Sequence, residues 1–298
     1  MLRILITLIL GLAPFSQAGA LTVVTDIPPV HALVAGVAGE TADIRLLYDG
    51  MPGSKGLSPR QQTALDGADL VIWVGPELSP ALAARLRAEG APPSLPLLAL
   101  EPLPLRFEGW AATFADALPD LTPGMSRTDL LHAAEDGHDH GVHDHGPVNP
   151  FVWLDPSNAA WFVEVIRWQL TALAPANAET YRRNAETVLG ELADLSAAMP
   201  AILAPVRRVT LIPSAEGMLY FLVRQDVLIG LDGAIDDVDG AEGIRACQFV
   251  EPGADASEIA DSKQVEVDLY GASLPGGAQL YETLIRNLAA AVADCADK

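Results

Sequence analysis

Past residue 20, apolar and polar positions switch between a period of two and a period near 3.6, and the switches predict the elements. Leu21 to Ile27 is a β-rich run closed by Pro28-Pro29, and a helix is expected through Val30 to Ala38. A strand follows at Ile44 to Tyr48, then a Gly/Pro/Ser loop from Asp49 to Gly56. Ser58-Pro59 opens the next helix, with proline at its first position. Asp69 to Gly75 is a continuous apolar run, as expected of a strand covered on both faces. A helix over Pro80 to Glu89 and a strand over Leu95 to Leu100 complete the series. Strand alternating with helix implies a parallel sheet with right-handed crossovers.

Residues 101 to 150 are rich in Pro, Gly, Asp and His and predict irregular structure. The apolar Phe151 to Leu154 ends that stretch, and Asp155-Pro156 starts a helix expected to run to Leu173 and stop before Pro175. A second helix is expected over Asn177 to Met199. Its Tyr181, Ala185, Val188, Leu192, Leu195 and Met199 recur at spacings of four and three and share one face. Such a helix of about 22 residues is about 33 Å long, enough to brace two lobes. A second α/β series follows. It has strands at Arg208–Ile212, Val227–Leu231, Cys247–Val250 and Val265–Leu269, and helices at Glu216–Gln225, Ala256–Lys263 and Gly277 to about Ala293. The expected architecture is two parallel-sheet α/β lobes braced by a long helix. The N-terminal lobe covers 21–155, the helical linker 156–199 and the C-terminal lobe 200–298. Ligands in such sheets sit outside the carboxyl ends of the strands, hence in the cleft between lobes.

Composition narrows the setting. Residues 1–20 combine Arg3, an apolar run from Ile4 to Leu12 and small residues at Ala18 and Ala20, which reads as a secretory signal peptide cleaved after Ala18 or Ala20. The run is too short to span a bilayer. An exported, soluble periplasmic protein is expected. Its two cysteines, Cys247 and Cys295, then read as a disulfide, with two free thiols as the alternative. A formal net charge of −21 argues against nucleic acid and anionic membranes as partners.

The chemistry concentrates in DGHDHGVHDHG, residues 136–146, inside a His-rich loop spanning 132–146. His138, His140, His143 and His145 lie within eight residues, with Asp139 and Asp144 between them. Imidazole suits zinc, copper and nickel, so these four are the candidate metal ligands. The loop lacks any apolar period, and ordering it costs conformational entropy, so the expected binding is weak and exchangeable. His132 lies outside the dense cluster. His31 falls in the first helix, where a packed or capping role is expected. No nucleophile elbow, HExxH or phosphate loop occurs, and an enzyme is not expected.

On the segments VVTDIPPVH at 23–31, GADLVIWVGP at 67–76, VWLDPSNA at 152–159, PANAETY at 175–181 and LIRNL at 284–288, the chain resembles the zinc/manganese solute-binding proteins of bacterial ABC transporters, in particular the zinc-uptake, ZnuA-type branch. The resemblance covers nearly all of the chain past residue 20, and it places the His-rich loop and the cysteine pair where zinc-type members carry theirs. It implies a monomeric binding component that hands a divalent metal to an inner-membrane permease. The family's three cleft histidines, however, are replaced by Gly53, Phe151 and Ala215; only the acidic position survives, as Asp268. Gly, Phe and Ala donate nothing, and one carboxylate does not hold zinc tightly. The expected cleft is therefore degenerate. Glu216 and Asp268 with a water are candidates for a weak oxygen site, and Lys55 is a candidate to replace the ion's charge by pairing with either. The alternative is a divergent paralogue that buffers or senses zinc through its loop, or binds another partner.

Overall fold

The computed structural model describes residues 20–53, 55–103, 105, 148–208, 210–212, 217–225, 227, 246–253 and 262–296. The N-terminal half alternates strand and helix: β1 (Leu21–Thr25), α1 (Pro28–Ala38), β2 (Ala42–Leu46), α2 (Pro59–Leu65), β3 (Leu70–Trp73), α3 (Pro80–Leu86) and β4 (Ser94–Pro96). Its sheet is parallel, in the order β2-β1-β3-β4, with Val23 opposite both Ile44 and Leu70. Side chains along the central strands point alternately to two cores. Val23, Leu70 and Ile72 join the large core with α1, whereas Val24, Val71 and Trp73 join Leu65 of α2 and Leu82 of α3 on the other face. Both faces being covered explains why β3 is apolar throughout and buried throughout.

Local chemistry sets the helix starts. Ser58 and Gln61 form a reciprocal capping box ahead of Pro59. Asp155 caps α4 (Pro156–Leu173) by accepting from Ser157 N at 2.8 Å, with Pro156 at the first position. The brace α5 (Ala178–Ile202) has 25 residues, about 38 Å of helix. It buries Tyr181, Ala185, Leu192, Leu195 and Met199, the face its spacing predicts. Helix α1 packs on α4, on α5 and on the closing helix α7 (Leu280–Ala296), so one hydrophobic core runs from Val23 to Val292 through both halves.

The C-terminal half holds β5 (Thr210–Ile212), α6 (Met218–Arg224), β6 (Ala246–Val250) and β7 (Ser262–Glu266). The three strands form a parallel sheet in that order. Cys247 in β6 bonds to Cys295. Among the described residues no helix is long and apolar enough to cross a membrane.

Several boundaries differ from expectation. The strand expected over Leu95–Leu100 is β4, which ends at Pro96 and gives way to a 3-10 turn at Leu97–Ala99. Pro96 has no N–H to extend a ladder, and Leu98 N instead donates to Val74 O at 2.8 Å. Expected at Val265–Leu269, β7 begins three residues earlier, so Lys263 belongs to a strand and not to a preceding helix. β7 is the edge of the described sheet, where Gln264 and Glu266 face solvent, and polar residues at an edge carry no apolar pattern to read. Cys295 lies within the last turn of α7, not beyond its end. The signal segment, all but Val227 of the strand expected at Val227–Leu231, and residues 254–261 lie outside the described residues.

Candidate functional site

The N-terminal sheet reverses its order between β1 and β3, and the carboxyl ends of these strands open onto the seam between the lobes, where α/β sheets place ligands. Loops from both halves meet there. A Cβ on Gly50, in the loop after β2, would lie 3.2 Å from Ala272 Cβ in the loop after β7.

The segment entering α4 supplies an aromatic knot. Phe151 stacks at 5.0 Å from Trp153 and 5.7 Å from Tyr270, and Trp153 at 5.5 Å from Tyr270. Trp153 is fully buried; its Nε1 donates to Leu269 O at 3.0 Å, and Tyr281 Oη of α7 donates to the Trp153 carbonyl at 2.7 Å. The residue expected to replace the family's second histidine is thus a half-buried ring whose partners are aromatic and which offers no lone pair. The ring also lies against buried Gly217: a Cβ there would stand 2.8 Å from Phe151 Cδ1 and 2.5 Å from Leu269 Cδ1. Gly217→Ala is expected to lose about 1–3 kcal/mol by overpacking. Urea unfolding checks this, and an unchanged midpoint would mean that the ring yields at no cost.

Asp268, expected as the residual acidic position, has its carboxylate taken up by its own loop. Oδ1 accepts from Tyr270 N and Ala272 N, each at 3.1 Å, and Oδ2 accepts from Ser273 N at 2.8 Å and Ser273 Oγ at 2.7 Å. Burial pushes its pKa up, but the bonds from Ser273, Ala272 and Tyr270 outweigh that and hold it below the usual carboxylate range. All four acceptor positions of the two oxygens are in use. Asp268 also edges a cavity of about 200 Å³ against α7, whose lining adds Glu266 and Asn287 but no histidine or cysteine.

The other predicted positions are not assembled around it. Gly53 is exposed, with open space where a side chain would begin. Lys55 is exposed and forms no ion pair among the described residues. It does not pair with Asp268, and Glu216, its other expected partner, lies outside the described residues. Glu216, Ala215 and the loop histidines His138, His140, His143 and His145 lie outside the described residues. Among the described residues no group of three or more His, Cys, Asp or Glu could hold a metal ion. His31 is half-buried, with Nδ1 3.2 Å from Thr25 Oγ1, and burial lowers its pKa. It packs, as expected.

Sequence reading missed the acids and phenols around this seam. Asp26 is fully buried; its oxygens accept from Ile27 N and Val74 N, each at 2.9 Å. Burial lifts its pKa to about 7 against the pull of those two bonds. Burial, then the charges of Glu251 and Asp26, push the Tyr270 phenol up; burial and then Asp26 do the same to Tyr48. Burial and then Asp268 raise Glu251. The available signal was an aspartate between a β-rich run and Pro28-Pro29, where a strand's carboxyl end meets a helix start.

Comparison with known proteins matches this arrangement to one group. The family described as zinc-uptake complex component A, periplasmic, matches residues 23–229. The high-affinity zinc uptake system protein ZnuA of Paracoccus denitrificans is 30% identical over 302 residues, 92% of this chain and 91% of its own length. Among solved structures, the solute-binding protein FpvC of Pseudomonas aeruginosa with Mn2+ aligns at TM-score 0.67 and 18% identity, covering 93% of this chain and 98% of its own. A zinc-bound ZnuA deletion mutant aligns at TM-score 0.65 and 16% identity, covering 94% and 99%. At these identities the structural likeness speaks for the fold.

Proposed function

This chain belongs to the zinc-uptake complex component A family, and on that footing we propose that it is the exported solute-binding component of a zinc, or other divalent-metal, ABC uptake system, with a degenerate cleft. The observation that carries the reading is the likeness to ZnuA along 92% of the chain. The work is capture of the ion and delivery to an inner-membrane permease, without a chemical step. Metal is held weakly, by His138, His140, His143 and His145. Support for the weakness comes from the cleft: a closed zinc site takes four donors, whereas Phe151 offers a ring, Gly53 offers none and Asp268 is saturated by its own turn.

That saturation favours one second reading, a divergent paralogue that buffers or senses zinc through its loop and delivers nothing from the cleft. Calorimetric zinc titration of the exported form, beside a variant lacking Asp136 to Gly146, tests both. Weak or multiple binding that disappears with the loop is the expected result. Tight binding that survives the deletion would mean a working cleft site and would overturn the degenerate-cleft reading.

A further inference from the structure

Asp26 occupies an unusual position for a carboxylate. It is wholly buried at the carboxyl end of β1, where the sheet order turns from β2 to β3. Its two backbone bonds pin it, yet no cation pairs with it among the described residues. From the end of β2 comes Tyr48, whose hydroxyl is buried with no hydrogen-bond partner among the described residues and whose amide donates to the Asp26 carbonyl at 2.9 Å. From α1 comes His31, which burial disfavours as a cation. After β3, the Glu77 carboxylate lies over Gly75, beside Val74. The C-terminal lobe presents Tyr270, with Glu251 and Asp268 behind it. A charge placed on Asp26 is fully buried and answered by the backbone N–H groups of Ile27 and Val74 but by no cation among the described residues, and a buried charge without a counter-ion recruits water or a proton. Two residues beyond Tyr48, Gly50 rests against Ala272, in the turn tied by Asp268.

We propose that Asp26 is a proton-operated latch on the seam between the lobes: neutral, it lets the Tyr48–Gly50 arm seat against the turn at Ala272; ionised, it draws water into the seam and releases that arm. The latch does not depend on which solute, if any, the cleft takes. The sign follows from linkage. Full burial holds the carboxyl's pKa at about 7, above the ordinary carboxylate range, so a seam that closes over it takes up a proton. The closed form is favoured at low pH, loses ground as pH rises through that window, and changes no further above it. Tyr48 and Tyr270 stay protonated throughout, because burial raises both.

Hydrogen exchange of the Tyr48 and Gly50 amides, corrected for the intrinsic pH dependence of exchange, reads the latch. Between pH of about 5 and about 8.5 their protection is expected to fall by at least about tenfold, the equivalent of one pKa unit. Asp26→Asn should abolish the fall, and Glu251→Gln should retain it. Loss of the fall in Glu251→Gln, its persistence in Asp26→Asn, or a flat wild-type profile would each overturn the proposal. If Asp26→Asn does not fold, carbon-13 NMR of aspartate-labelled wild type decides: one aspartate carboxyl must titrate with the same midpoint as the protection change, and a mismatch rejects the latch.

Discussion

Placing histidines at the three positions proposed to have lost them, as Gly53→His, Phe151→His and Ala215→His, is expected to tighten zinc binding by more than about 100-fold, the range that outer-shell partners alone command. The experiment belongs in a background lacking Asp136 to Gly146, so that loop binding does not mask the cleft. Space favours the change at two positions. Gly53 is exposed with nothing near its missing Cβ. Imidazole is smaller than the Phe151 ring, which already rests on Gly217 and Tyr270. Ala215 lies outside the described residues and is included on the resemblance alone. The opposing term is Asp268. To bind an ion it must surrender at least one of its four hydrogen bonds, and the Ser273 hydroxyl, on Oδ2 at 2.7 Å, is the one held by a side chain. Ser273→Ala added to the three substitutions is therefore expected to tighten binding further. Calorimetry of the loop-deleted triple variant gives the answer, and a zinc isotherm unchanged from the loop-deleted parent would show that the seam is no longer built around an ion.

Removing the disulfide, with Cys247→Ala and Cys295→Ala together, is expected to cost about 4 kcal/mol and to lower Tm by roughly 10 °C. The bond closes a loop with a sequence separation of 48, and the entropy withheld from the unfolded chain grows with that length. Both sulfurs are fully buried, one in β6 and one in the last turn of α7. The bond therefore ties the sheet of the C-terminal lobe to the helix that packs on α1 and α5. Thermal unfolding of the oxidised protein and the double variant reads the difference. A loss of under about 1 kcal/mol would mean that packing around α7 already restricts the unfolded chain.

The sequence by itself determined what depends on neighbours along the chain. The strand–helix alternation, the proline helix starts, the Ser58–Gln61 cap and the buried stripe of α5 follow from periods of two and 3.6 and from residues within a turn of one another. It also showed that Gly53, Phe151 and Ala215 carry no donor side chain, because side-chain chemistry needs no coordinates. Only the tertiary structure decided how the remaining groups are spent. Asp268 was legible as an acid but not as one saturated by the turn it caps. Phe151 was legible as apolar but not as part of an aromatic knot, since Tyr270 lies over a hundred positions away in the chain. The local pattern places Asp26 where a strand's carboxyl end meets a helix start, but it does not mark the carboxylate as fully buried. Its state depends on Val74 N arriving from another strand, 48 residues on, and on its full burial. Desolvation is a property of everything packed around a group, so it becomes fixed only when the two sheets and the brace come together.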